Sequence, residues 1–322
     1  MRGYAFREAI SCQAYESRPS IGNFLYDGSP MFQRKRFRLR LPSRTLILGE
    51  RTLVMGVLNI TPDSFSDGGA FLDSGDAIAH ALQIEKDGAD ILDIGGESTR
   101  PGATPIHVEE ELRRILPVIQ GLRGKLRIPI SVDTRRAEVA EAALGAGAEI
   151  LNDVSALRTD PRLGEVARRA RAPLILMHMR GTPQTMQRGP FARDVIRDVT
   201  SGLREALARA KRAGLSKAQL LLDPGIGFGK KHEQNFEILA QLSELAHLGC
   251  PIVIGTSRKA FLGKAQAKLG EPALPPGERL LGTAATVTAA ILKGAHIVRV
   301  HDVAEIVRVA RIADLVVSAA AS

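Results

Sequence analysis

A chain of 322 residues, 44% of them hydrophobic, is long enough for one large domain with a sizeable core, a length that α/β barrels often take. It has no tryptophan and only three tyrosines, which argues against an aromatic sugar-binding cleft. Its net charge of +9 admits nucleic acid, a membrane surface or an anionic small molecule as partner, but the basic runs (Arg34, Lys35, Arg36, Arg38 and Arg40; 162–171) lack interleaved aromatics and read as solvated faces.

In chain order, residues 1–42 show no sustained hydrophobic period and read as an N-terminal extension, poorly ordered or tacked to the surface. Residues 43–322 then read as a single domain. Thr45–Leu48 and Thr52–Val54, on either side of Gly49-Glu50, are expected to form a β-hairpin capping the bottom of a barrel. From Val54 short apolar runs recur at 54–60, 91–94, 128–132, 150–151, 173–177, 220–222, 251–254 and 297–300. Each is brief and non-alternating, as strands covered on both faces should be. Amphipathic stretches at 76–87, 108–122, 135–146, 162–170, 191–213, 235–248, 283–293 and 303–319 lie between and after them. Eight strands alternating with eight helices predict an α/β (β/α)8 barrel. A doubly wound open sheet is the second choice, because no Gly-x-Gly-x-x-Gly follows the first strand.

In such a barrel the chemistry sits at the C-terminal ends of the strands, and every end here is polar. In order they carry Asn59, Asp93, Asp133, Asn152-Asp153, Met177-His178, Asp223, Ser257-Arg258-Lys259 and Arg299-Val-His301. Singly, each has a plain structural explanation. Asp93 and Asp153 suit helix or loop caps. His178 reads equally as a core histidine, and Arg258 as a surface charge. Together, Asp133, Asn152 and Asp223 suit a heterocycle with ring N–H and amino donors, and Lys259 supplies a donor for a ring carbonyl or nitrogen. Arg299 is able to stack on a flat ring or hold an anion. With His301 and Asn59 it makes a phosphate corner, where Mg²⁺ needs few protein oxygens beside those of the substrate. The polar stretches after the first two strands suit lids. There is no Walker motif, zinc-spaced His/Cys set or nucleophile elbow.

The segments Met55-Gly-Val-Leu-Asn-Ile-Thr-Pro-Asp-Ser-Phe-Ser-Asp-Gly-Gly69, Asp93-Ile-Gly-Gly-Glu-Ser-Thr-Arg-Pro-Gly102, Ser131-Val-Asp-Thr134, Asn152-Asp153, Asp223-Pro-Gly-Ile-Gly-Phe-Gly-Lys230, Gly255-Thr-Ser-Arg-Lys259 and Arg299-Val-His-Asp302 resemble, in order, those of the dihydropteroate synthase family. The resemblance implies a TIM barrel, usually a homodimer packed through the last helices, and a Mg²⁺-dependent transferase of folate synthesis that is the target of sulfonamides. It also implies the reaction: 6-hydroxymethyl-7,8-dihydropterin pyrophosphate condenses with p-aminobenzoate to 7,8-dihydropteroate and pyrophosphate. By the same resemblance Asp133, Asn152, Asp223 and Lys259 bind the pterin, with Met177 and Phe228 lining its pocket. Arg299 and His301 face the pyrophosphate, and Asn59 is the metal ligand. Phe65, Asp67, Thr99, Arg100, Pro101 and Ser257 fall where the family binds p-aminobenzoate, with Asp67 and Arg100 close to the chemistry. A methyltetrahydrofolate-dependent methyltransferase barrel would share the Asp/Asn pocket but lack both long loop motifs. A non-catalytic pterin-binding paralogue is the other alternative.

Cys12 and Cys250 are the only cysteines, and a structural disulfide between them is not expected, which suits a reducing, cytoplasmic setting. No apolar run reaches membrane-spanning length.

Overall fold

The computed structural model describes residues 34–61, 74–100, 102–268, 270 and 272–320. Strands β1 (Phe37–Arg40) and β2 (Thr45–Leu48) pair antiparallel as a hairpin. Eight further strands are parallel: β3 (Leu53–Asn59), β4 (Ile91–Gly95), β5 (Ile130–Asp133), β6 (Ile150–Asp153), β7 (Leu174–Met177), β8 (Leu220–Asp223), β9 (Val253–Ile254) and β10 (Ile297–Val300). Their order is β8-β7-β6-β5-β4-β3-β10-β9, and a parallel bridge from Leu222 to Ile252 closes the sheet into a barrel.

Outside it, among the described residues, run α1 (Ser74–Lys86), α2 (Val108–Leu122), α3 (Ala137–Ala146), α4 (Arg162–Ala170), α5 (Val195–Arg212), α6 (His232–Ala240), α7 (Ala260–Lys268), α8 (Leu280–Leu292) and α9 (Val303–Ala319). Each helix buries one stripe; on α2 that stripe is Glu111, Ile115, Val118, Ile119 and Leu122, the spacing of a single helical face. The expected (β/α)8 barrel is therefore present.

Side chains alternate across each strand, and this sorts the core into two shells. Val54, Leu58, Leu92, Ile94 and Val132 point outward and pack with Ile84, Ile115, Ile119 and Val303 of the helices. At Gly56 the helices come so close that an added Cβ would lie 2.4 Å from Ile84 Cγ2 and 3.0 Å from Val303 Cγ2. Met55, Ile91, Ile150, Ile175, Leu221, Val253 and Ile297 point inward and form a lower storey of the barrel interior. Leu39, Leu41 and Leu48 of the hairpin seal that storey from below. Each such side chain removed from water contributes roughly 1.5–3 kcal/mol.

The hairpin differs from the one expected. Thr45–Leu48 pairs with Phe37–Arg40, and Leu53 and Val54 belong to the barrel strand β3. Residues 34–42, expected in the extension, include the first strand of this hairpin. Arg34 is buried, and its guanidinium donates to Thr52 Oγ1 at 2.6 Å and to the Ala295 carbonyl at 3.1 Å, and pairs with Asp314 of α9. The poor order expected of the extension lies otherwise outside the described residues.

Three helices also depart from expectation. The stretch 191–213 becomes helical only at Val195, where the Asp194 carboxylate accepts the Arg197 amide at 2.9 Å and sets the N-terminus. The stretch 235–248 is helical from His232, breaks at Gln241 and continues as a 3-10 segment, Leu242–Leu248. Helix α7 starts directly after the lysine of the seventh barrel strand's polar loop.

Candidate active site

On β4, β6, β8 and β10 the inward position changes from apolar to polar two residues further along, while β7 keeps Met177 and β3 Val57 there. Above Ile91 stands Asp93, above Ile150 Asn152, above Ile175 Met177, above Leu221 Asp223, and above Ile297 Arg299, with His301 two residues beyond. The pairing puts Asn59 beside Gly95, Gly95 beside Asp133, Asp133 beside Asn152, and Met177 beside Asp223. The barrel thus has an apolar lower storey and a polar upper one.

Arg299 organises one side of that upper storey. Its Nε donates to Asp93 Oδ2 at 2.7 Å and its Nη2 to Asp133 Oδ2 at 3.0 Å. Asn152 Nδ2 donates to the same Asp93 oxygen at 3.2 Å. Asp93 is fully buried, yet among the described residues its Oδ1 has no hydrogen-bond partner, and nor does Ser131 Oγ. Unsatisfied groups of this kind are costly and are expected where a polar ligand is to bind.

Burial raises the Asp133 carboxyl to about 7 despite Arg299. Asp223 is also raised by burial, against Lys259, and its Oδ1 accepts the Gly225 amide at 2.6 Å. Lys259 is lowered to about 8 by burial, against Asp223. Its ammonium donates to the Ile226 carbonyl and stands 4.8 Å from the centre of the Phe228 ring. Phe228 packs on Met177, Met179, Met186 and Val154.

His301 is lowered to about 3, by burial first and then by Arg299 and Arg258, so it is neutral at pH 7. Ser257 Oγ accepts the His301 amide at 3.1 Å and lies 3.0 Å from His301 Nδ1. If the serine hydroxyl donates to Nδ1, as this arrangement favours, the ring proton sits on Nε2. Arg100 is exposed on the loop after β4, and its charge also acts on His301. Thr99 is half-buried on the same loop. Phe65, Asp67 and Pro101 lie outside the described residues.

Asn59 is half-buried at the rim, at the C-terminal end of β3. Gly95 stands between Asn59 and Asp133: a Cβ there would lie 3.7 Å from Asn59 Oδ1 and 3.5 Å from Asp133 Cβ, both ordinary contacts. No cluster of three or more His, Cys, Asp or Glu able to hold a metal occurs among the described residues. A single amide oxygen fits a hard cation that completes its shell with substrate oxygens and water, and does not make a closed protein cage.

Two residues, Asp93 and His178, take up positions that local reading does not supply. Asp93, read as a cap, bonds Arg299 and Asn152 at the mouth, while Asp153 does cap, accepting the Ser155 and Leu157 amides at 2.8 and 2.6 Å. His178 faces outward to α5, where a Cβ on Gly202 would lie 2.4 Å from its Cδ2. Strand parity carries the signal for both: Asp93 shares a face with Ile91, and His178 shares one with Leu176. Arg258 pairs with Asp302, Nε to Oδ2 at 3.0 Å, at the start of α9.

A closed parallel barrel with buried carboxylates, an amide, a lysine and an arginine gathered at its mouth defines a barrel that binds a flat polar ring beside an anion. Residues 55–301 match the family described as pterin binding enzyme. The dihydropteroate synthase of Synechocystis sp. is 50% identical over 266 residues, 83% of this chain and 90% of that one. The Yersinia pestis dihydropteroate synthase, solved with a sulfonamide drug, superposes with a TM-score of 0.81 at 41% identity, covering 88% of this chain and 100% of that one. The Xanthomonas albilineans dihydropteroate synthase in complex with 7,8-dihydropteroate superposes with a TM-score of 0.77 at 41% identity, covering 87% and 98%. The chain belongs to the pterin binding enzyme family, among the dihydropteroate synthases.

Proposed function

We propose that the chain is a transferase that condenses 6-hydroxymethyl-7,8-dihydropterin pyrophosphate with p-aminobenzoate, releasing 7,8-dihydropteroate and pyrophosphate. The observation that carries this reading is the upper storey, where Asp93, Asp133, Asn152 and Arg299 form one bonded set and Asp223 and Lys259 join it at the same mouth. Asp133, Asn152 and Asp223 accept from the ring nitrogens and amino group of the pterin. Lys259 donates to the ring, Met177 and Phe228 wall it, and Arg299 covers one face. The C–O bond to pyrophosphate breaks with its electron pair leaving on the phosphate. The methylene cation that remains is conjugated with the dihydropterin and faces the Asp133 carboxylate. Arg299 and the Nε2–H of neutral His301 hold the departing pyrophosphate.

Mg²⁺ belongs to this reading. Asn59 would hold it together with oxygens of the pyrophosphate, whose negative charge it would offset. The arylamine nitrogen then forms the new C–N bond and passes one proton to solvent. Positioning suffices for an amine this nucleophilic, and Thr99, Arg100 and Ser257, with Phe65, Asp67 and Pro101, are assigned to it.

Incubation with the pterin pyrophosphate, labelled p-aminobenzoate and Mg²⁺ should yield labelled dihydropteroate. Retained pterin binding with no product would sink the enzyme reading and leave a pterin-binding paralogue.

Asp133 acts ionised, and burial raises its carboxyl to about 7, so the inactive protonated form gains below that pH. The value of kcat/KM for the pterin substrate should therefore rise with pH through about 7 and level off above it. A profile flat from about pH 5.5 to 8.5 would remove Asp133 from this role.

A homodimer is also part of the reading. Leu281 of α8 and Ile312, Leu315 and Val316 of α9 are exposed, Leu281 by 83%, on the last two helices. Leu315→Arg should shift sedimentation from dimer to monomer, and an unchanged dimer would place the interface elsewhere. A cytoplasmic setting completes the assignment. Cys250 is buried with its thiol pushed up to about 11, and no helix among the described residues is long and apolar enough to cross a membrane.

A further inference from the structure

Lys230 is a buried titratable group that the reaction does not use. It is 3% exposed, and its ammonium reaches four acceptors: the Pro224 carbonyl at 2.7 Å, the Gly225 carbonyl at 2.8 Å, His178 Nδ1 at 3.0 Å and the His178 carbonyl at 3.1 Å. The first two belong to the loop after β8, the last two to the end of β7. That loop, Pro224 to Gly229, has no regular secondary structure, and Gly225, Gly227 and Gly229 all have positive φ. Left alone, such a segment is loose. Yet it must steady Asp223 through the Gly225 amide, place Phe228 and seat Lys259 through the Ile226 carbonyl.

The geometry leaves little slack. A Cβ on Gly225 would lie 1.8 Å from the His178 carbonyl oxygen and 3.1 Å from Lys230 Nζ, so only glycine allows the approach that lets one ammonium reach both strand ends. His178 is held in turn, with its ring against Gly202 and its Nε2 3.6 Å from Asp198 of α5. Burial lowers Lys230 to about 7, opposed by Asp223 and Asp198 and reinforced by Lys259 and Arg158. A buried ammonium tolerated at that cost has a structural task.

We propose that Lys230 is a positioning residue for the pterin pocket, its ammonium clamping the loop after β8 to the end of β7 through the carbonyls of Pro224, Gly225 and His178. The proposal rests on the pterin-binding reading above. Lys230→Met keeps the length of the side chain and removes its donors. It should raise the pterin Kd by calorimetry, and the pterin KM, at least tenfold. The KM for p-aminobenzoate at saturating pterin should stay within about twofold, because the hydrogen bonds lost act on the pterin pocket alone. Lys230→Arg should not restore the pocket, since a planar fork cannot converge on four acceptors around a point charge.

Gly202→Ala tests the same clamp from α5 by pushing on the His178 ring, and it stands should Lys230→Met not fold. It should weaken pterin binding severalfold with the same selectivity. Equal losses for both substrates, or a lowered melting temperature with unchanged constants per folded molecule, would overturn the proposal. Failure of the wild-type protein to bind pterin would instead overturn the functional reading.

Discussion

Asp133→Asn is expected to reduce turnover by about 10²–10³-fold, or ~2.7–4 kcal/mol of transition-state stabilisation, while the pterin Kd rises by no more than roughly tenfold. The substitution keeps shape and volume. Its amide oxygen still accepts from Arg299 Nη2, the bond now 3.0 Å long, and Asp93 still holds Arg299 Nε at 2.7 Å. What disappears is the full negative charge, which matters most once pyrophosphate has left and the methylene is cationic. Ground-state contacts to the ring, shared with Asn152, Asp223 and Lys259, persist. Single-turnover kinetics with a preformed pterin complex separate the two quantities. Equal loss of binding and turnover would mean that Asp133 grips the ring and does not answer the cation.

Asp314→Ala is expected to cost about 3–5 kcal/mol of stability, the penalty for leaving a buried charge without its partner. Asp314 sits on α9 with its Oδ2 accepting the Thr52 amide at 2.7 Å and its Oδ1 accepting the Thr52 hydroxyl at 2.8 Å, beside the buried Arg34 guanidinium. Its loss strands Arg34 with one hydroxyl and one carbonyl. This network joins the residues ahead of the hairpin, the entry to β3 and the last helix. Urea unfolding read by far-UV circular dichroism should show a lower midpoint at unchanged slope. A change below about 1 kcal/mol would show that water reaches Arg34 and that the segment is not integral to the fold.

The fold is legible in the sequence because both faces of the barrel strands are covered. Such strands appear as short apolar runs, and 91–94, 150–151 and 220–222 carry no competing signal. The hairpin is harder to read because Phe37–Arg40 alternates arginine with apolar residues, and only its Leu39 is buried. Its charges look like a basic head, whereas Thr52–Val54 looks like a strand and is one, in another sheet. Helix α7 is masked by the Ser257-Arg258-Lys259 motif, whose polar residues mark a loop and hide the helix that begins at Ala260.

In the site, Asp133, Asn152, Asp223, Lys259 and Arg299 can be picked out because each is polar at the end of an apolar run. Parity with Ile91 turns Asp93 inward, but its bond cannot be read from its neighbours, because its partner Arg299 lies 206 residues away. Lys230 stands in a recognisable motif, but its task depends on β7 and β8 lying side by side.

The two-storey interior has a consequence for how such a chain can diverge. Equivalent positions in the two storeys are two residues apart, about 6.6 Å along a strand. The lower storey asks only for volume and oil, so exchanges among Ile, Leu, Val and Met that keep total volume cost under about 1.5 kcal/mol and leave the chemistry alone. The upper storey asks for named functional groups. A lineage of this barrel is therefore free to drift from the floor upward, and a one-residue insertion inside any strand, by exchanging the storeys' faces, closes that route at once.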